Sequence, residues 1–122
     1  MKLVPLPQEL SVYQVSDFSQ VDFTQQPLFI GRTDEENSIV SATANVPSET
    51  IKREDGWRAF KIEGVLDFSL VGILAKIATV LAEAYISIFA VSTFNTDYLL
   101  IKMEKYEAAV SVLTQEIGRA HV

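Results

Sequence analysis

An α+β fold is predicted, on three observations. Residues 70–84 place Leu70, Ile73, Leu74, Ile77, Leu81 and Ala84 at helical spacing on one face. Two short apolar runs follow, 86–93 and 98–102, rich in β-formers and joined by a polar turn at 94–97. A second helical pattern, 104–115, sets Tyr106, Ala109, Val110 and Leu113 at i, i+3, i+4 and i+7. With a strand over 57–63 in front, the order is β-α-β-β-α. That is one strand short of the split β-α-β-β-α-β unit of a ferredoxin-like fold. The missing strand is expected after residue 116.

The first helix follows a loop that begins at Gly64. Lys76, Thr79 and Glu83 mark its polar face, while Val71, Ala78 and Val80 widen the apolar stripe and predict cover on more than one side. Asp67 or Ser69 can cap it by accepting from first-turn N–H groups. The runs 86–93 and 98–102 are apolar on both faces, the pattern of interior strands.

Before residue 57 the pattern is β throughout. Residues 10–15 alternate and predict a strand, 16–26 a loop or an irregular helical turn, and 28–32 and 38–44 two strands. The acidic stretch 33–37 joins the last two as a hairpin turn. Pro47, Ser48, Asp55 and Gly56 mark 45–56 as a boundary. Phe29, Thr33, Asn37, Ile39 and Val40 recur sixty positions later as Phe89, Thr93, Asp97, Leu99 and Leu100. The first half, 1–56, therefore reads as a worn copy of the second, 57–116, with a shorter insert in place of the helix.

Composition excludes several functions. The chain has 122 residues, one domain's length, and 48% apolar content, enough for a core. It has no cysteine and one histidine, His121, so thiolate metal sites, cysteine nucleophiles and His-based triads are not expected. A net charge of −6 with scattered Lys and Arg argues against nucleic-acid binding. No apolar run approaches the ~20 residues of a membrane span, and the N-terminus lacks a signal peptide's apolar middle, so a cytoplasmic location is expected. Residues 117–122 back-translate to a string matching a widely used sequencing-library adapter. They are read as its translation, the alternative being a natural helix end at Gly118. No cofactor is expected, and with no catalytic constellation or phosphate-cradling loop an enzyme is not expected either.

The stretch GVLDFSLVGILAKIATVLAEA followed by ISIFAVSTFNTDYLLIK resembles small two-lobed bacterial ACT-domain proteins, related to the ACT pairs of the animal cytosolic arginine sensor. The pairing of DFS-x-VG-x-LA with STF-x-TDY carries the resemblance. It implies an ACT fold with a degenerate ACT-like N-terminal half, and a regulatory module binding a small amino acid or related metabolite. It implies a site built from Gly64, Val65, Leu66, Asp67, Phe68, Ser69, Val71 and Gly72 of the loop, facing Thr93, Phe94, Asn95, Thr96 and Asp97 of the hairpin tip. Leu70 stands where the arginine sensor carries an acidic residue, so the resemblance does not extend to arginine itself. The family's helix ends Glu-Ala-Gly, whereas this one ends Glu83-Ala84-Tyr85, which requires a left-handed Tyr85 or another helix end.

The chemistry fits an amino acid. A carboxylate is met by backbone N–H groups at a helix start such as 69–72, and Gly72 admits close approach. The ammonium would meet Asp97 or Asp67, and Phe68 and Phe94 would wall the side chain. Plainer roles stand beside these: Asp67 as N-cap, Asp97 as a self-satisfied turn residue, Gly72 as a helix-packing site, and both phenylalanines as core. The alternative function is a ligand-free interaction module, in which apolar strands at an open edge pair with a partner or a second copy as a homodimer.

Overall fold

The computed structural model describes residues 2–63 and 70–117. Its strands are β1 (Lys2–Pro5), β2 (Leu10–Gln14), β3 (Leu28–Arg32), β4 (Asn37–Ala42), β5 (Lys52–Glu63), β6 (Phe89–Ser92) and β7 (Asp97–Lys102). Its helices are α1 (Leu70–Glu83) and α2 (Tyr106–Ile117), and single 3-10 turns cover Thr43–Asn45 and Met103–Lys105. The chain forms two compact units, Gln8–Trp57, and Met1–Pro7 together with Arg58–Val122. Strand β5 passes from the first unit into the second.

In the second unit the strand order is β1-β5-β7-β6. Strand β1 pairs antiparallel with β5, Leu3 opposite Ile62 and Pro5 opposite Phe60. The place beside β5, where the sequence lacked a strand, is thus filled from the N-terminus. The sequence reading missed β1 because it is four residues long and ends in proline, a residue tolerated at a strand edge. Helices α1 and α2 supply the other half of the core. Ile77, Leu81, Ala109 and Leu113 are fully buried with Leu3, Phe60, Leu99 and Ile101. Each fully buried Leu or Ile contributes ~1.5–3 kcal/mol before entropy.

Two sequence expectations change here. Helix α1 is covered on one side, because Gly72, Ala75, Lys76, Thr79, Ala82 and Glu83 are exposed. Strand β6 is an edge strand rather than an interior one, with Phe89, Ala90 and Ser92 exposed. Apolar residues on both faces do not by themselves put a strand inside a sheet. Strand β7, at the interior position, does bury Leu99, Leu100 and Ile101.

Helix α1 ends as its sequence requires. Tyr85 takes φ 62°. The Ile86 N–H donates to the Leu81 carbonyl at 2.9 Å and the Tyr85 N–H to the Ala82 carbonyl at 3.0 Å. These are the two bonds of a Schellman motif, and Ile86 and Leu81 share the core as its hydrophobic contact.

In the first unit the order is β3-β4-β2-β5. The boundary expected at 45–56 is in part strand, since β5 begins at Lys52. Gly56 at φ 84° lies where the β2–β5 register shifts between Leu10↔Trp57 and Val12↔Glu54. It makes a bulge inside the stretch that the sequence pattern reads as a boundary. The Gly56 N–H donates to Glu9 Oε2 at 3.2 Å, and Ser11 Oγ donates to Asp55 Oδ1 at 2.6 Å. The core is Tyr13, Val15, Val21 and Ile39, and the Tyr13 hydroxyl meets Ser41 Oγ at 2.9 Å. Where the second unit has a helix, residues 16–27 form side-chain-bridged turns. Asp17 accepts from the Ser19 N–H at 2.9 Å, and Asp22 from the Thr24 N–H at 2.8 Å.

The two hairpins share one register. Phe29 pairs with Val40 and Arg32 with Asn37; Phe89 pairs with Leu100 and Ser92 with Asp97. Every pair is offset by the sixty residues read from the sequence.

Candidate functional site

The tip of the β6–β7 hairpin is closed by Thr93, whose N–H donates to the Thr96 carbonyl at 2.8 Å and whose hydroxyl donates to the same oxygen at 3.2 Å. The first hairpin repeats this between Thr33 and Glu36, with an N–H bond of 2.9 Å. A threonine at the turn entrance offers two donors to one carbonyl, which fixes the tip. Asn95 is exposed, Thr96 half-buried and Phe94 fully exposed, so Phe94 belongs to no core.

Asp97 is 7% exposed and accepts a hydrogen bond from the Ser92 hydroxyl across the hairpin. Burying a carboxylate is unfavourable unless donors meet it. A single hydroxyl among the described residues is a sparse shell for it. The sequence reading did not include Ser92 in the site. Its signal was its place, directly opposite Asp97 in the ladder.

Asn37 occupies the matching place in the first unit. Its side-chain Nδ2 donates to the Val15 carbonyl at 3.4 Å and the Ser16 carbonyl at 3.1 Å, and its main-chain carbonyl accepts from the Val15 N–H at 3.0 Å. The hairpin there is tied to the chain where β2 ends.

Of the loop residues named from the sequence, Gly64, Val65, Leu66, Asp67, Phe68 and Ser69 lie outside the described residues. Val71 is in the first turn of α1. Gly72 is exposed there, and a Cβ added to it would meet no atom of the described residues within 4 Å. Close packing against the described residues therefore does not explain this glycine. At the end of β5, before that loop, Lys61 Nζ and Glu63 Oε2 pair at 2.9 Å. The hydrogen bond from Lys61 holds the exposed Glu63 carboxyl below its ordinary range, helped by the lysine's charge.

No three His, Asp or Glu side chains among the described residues are placed to hold a metal ion, and no helix among them is long and apolar enough to cross a membrane.

Comparison with known proteins gives the class. The family model for the ACT domain matches residues 52–115. Protein Atu0741 from Agrobacterium tumefaciens is 30% identical, with a TM-score of 0.82 over 93% of this chain and 87% of that one. The chain belongs to the ACT-domain family. A protein of unknown function from Vibrio cholerae, VC0802, described as a possible transport protein, superposes with a TM-score of 0.67 at 18% identity, over 93% of this chain and 88% of that one. The regulatory subunit of aspartate kinase from Thermus thermophilus, in a ligand-free form, does so with 0.64 at 13%, over 93% and 95%. At those identities the likeness concerns the fold. No curated protein matches the sequence.

The ferredoxin-like ACT fold expected from the sequence is thus the fold present, with two helices and an antiparallel sheet in the matched part.

Proposed function

We propose that this ACT domain is a regulatory module that binds a small amino acid or related metabolite between the 64–72 loop and the 93–97 hairpin tip. The observation that supports it most is the exchange of Asn37 for Asp97 at one register position. Asn37 donates its amide to backbone carbonyls of the facing chain. A carboxylate cannot donate, so Asp97 cannot make that tie; among the described residues it has the Ser92 hydroxyl as its one side-chain donor and retains room to accept another. An ammonium group is such a donor, and a charge-assisted bond to a buried carboxylate is among the stronger ones. The bare Gly72 in the first turn of α1 leaves room at the end of the helix that favours a ligand's carboxylate. In this reading the first half is a degenerate ACT unit whose hairpin is closed by its own asparagine, and the module works in the cytoplasm without a cofactor.

Isothermal titration of the full chain with each of the common amino acids and with nucleobases tests the proposal. Saturable heat with one of them is the expected result. No heat and no thermal shift with any, at roughly millimolar ligand, removes the sensor reading.

The ligand-free alternative rests on β6. It ends the strand order of its unit and keeps Phe89 36% exposed. An apolar edge of this kind is a template for pairing with a second copy. Light scattering separates the readings: a dimer indifferent to every metabolite favours the interaction module.

A further inference from the structure

A second place in the same unit carries unspent binding chemistry. A hollow of about 240 Å³ opens at the start of α2, lined by Arg58, Met103, Glu104, Tyr106 and Glu107. None of these residues belongs to the loop or hairpin of the proposed function, and the inference does not rest on it.

Arg58 is held before any ligand arrives. Its guanidinium carbon lies 4.8 Å from the centre of the Tyr106 ring, and its Nη2 donates to the Leu6 carbonyl at 3.2 Å. Tyr106 is itself stacked on Phe60, ring centres 5.0 Å apart. The buried Arg58 Nε has no hydrogen-bond partner among the described residues. A guanidinium carries five N–H donors in a planar fork, a geometry that suits a carboxylate. Fixing it by stacking removes ordering entropy that a ligand would otherwise have to overcome.

The other charged lining is two glutamates. One guanidinium against two carboxylates leaves the wall with a net charge of −1. A simple anion is repelled by the glutamates, and a simple cation leaves Arg58 unmatched. A molecule with one carboxylate and two cationic groups matches all three. The hollow is smaller than the ~300–1,000 Å³ of drug-sized pockets, which suits a molecule of free-amino-acid size. The half-exposed thioether of Met103 is an adaptable wall for an aliphatic stem.

We propose that this hollow is a second small-molecule site that takes a free basic amino acid, its carboxylate on Arg58 and its cationic groups on Glu104 and Glu107. Amide NMR of the full chain, titrated with L-lysine, tests it. Saturable shifts at residues 103–107 are expected. L-leucine, which lacks the second cation, and cadaverine, which lacks the carboxylate, are each expected to bind at least about tenfold more weakly. The exposed pair of changes E104Q and E107Q is expected to weaken L-lysine about tenfold or more. The spectrum itself reports that this variant is folded, which matters because Arg58→Gln removes core stacking. No shift at 103–107 up to roughly 50 mM L-lysine overturns the proposal. So do shifts confined to 93–97, equal binding of L-leucine, or binding unchanged in the glutamine variant.

Discussion

Asn37 and Asp97 hold the same position in two hairpins, opposite Arg32 and Ser92, and their side chains do opposite things. Asn37 donates to two backbone carbonyls, whereas Asp97 accepts from a hydroxyl. Asn37→Asp would set a carboxylate against two carbonyl oxygens, with loss of both bonds and repulsion in their place. A loss of about 1–3 kcal/mol is expected, read as a lower urea midpoint at unchanged slope.

Asp97→Asn is expected to behave differently. The Ser92 hydroxyl can donate equally to an amide oxygen, so the fold keeps that bond. What is lost is the charge offered to an ammonium. Any amino acid that gives heat with the native chain is expected to bind about tenfold or more weakly to the variant, since bonds to charged groups contribute about 1.5–3 kcal/mol. Unchanged affinity in titration calorimetry would take Asp97 out of the site.

Gly72 separates stability from binding. Glycine inside a helix is about 1 kcal/mol less favourable than alanine, and a Cβ here meets nothing among the described residues. Gly72→Ala is therefore expected to raise stability in urea unfolding by up to about 1 kcal/mol. If a ligand approaches the backbone at this turn, the same change weakens its binding.

The sequence was legible where the local pattern and the tertiary environment agree. The face of Ile77 and Leu81 and that of Ala109 and Leu113 are both at the core, because 3.6-residue periodicity records which side a helix buries. The hairpin repeat was legible because equal register requires equal spacing. Strand β1 was not, because its partner lies about sixty residues away and only pairing with β5 makes four residues a strand. The bulge at Gly56 was not legible, because a glycine at a boundary and a glycine at a bulge look alike in sequence and only the pairing of β2 with β5 separates them. Ser92 and Arg58 escaped notice because their significance comes from cross-strand and strand-to-helix neighbours, which no window of sequence contains.

Tyr85 carries the left-handed strain that glycine would avoid. Its side chain is 90% exposed, so replacing it removes little packing. Tyr85→Gly is expected to stabilise the helix end by about 1 kcal/mol, since φ 62° is unstrained for glycine, and to raise Tm by a few degrees. A fall in Tm would show that the ring has a packing role.

Acid is expected to weaken the fold through exposed carboxylates. Hydrogen bonds from the Ser19 side chain and then its backbone hold Asp17 below the ordinary 3.8, and Thr24 does the same for Asp22. Glu63 lies below its ordinary 4.5 through Lys61. A lowered folded value means the unfolded chain takes up protons first. The stability these groups lend is therefore full above those ordinary values and is lost as pH falls through the lowered ones. Lys61, raised above 10.5 chiefly by the Glu63 hydrogen bond, lends stability that is full below 10.5 and lost above it. Urea midpoints measured against pH are expected to drop below about pH 4, and less steeply in a variant carrying Ser19→Ala and Thr24→Ala.

Leu3 tests whether the N-terminal strand belongs to the core of the unit formed mainly by the later chain. It is fully buried with Phe60, Ile62 and Leu113, although some sixty or more residues of sequence separate it from each of them. An N-terminal leucine that merely rested on a surface would tolerate truncation. Leu3→Ala leaves a cavity among side chains that cannot all move to fill it, so a loss of about 2–5 kcal/mol is expected in denaturant unfolding. Against the 5–15 kcal/mol typical of a whole domain, that is enough to lower the midpoint clearly. It would show that β1 is part of the core that holds this unit together. A loss below about 0.5 kcal/mol, the scale of surface changes, would show that β1 is dispensable and that the unit closes without it.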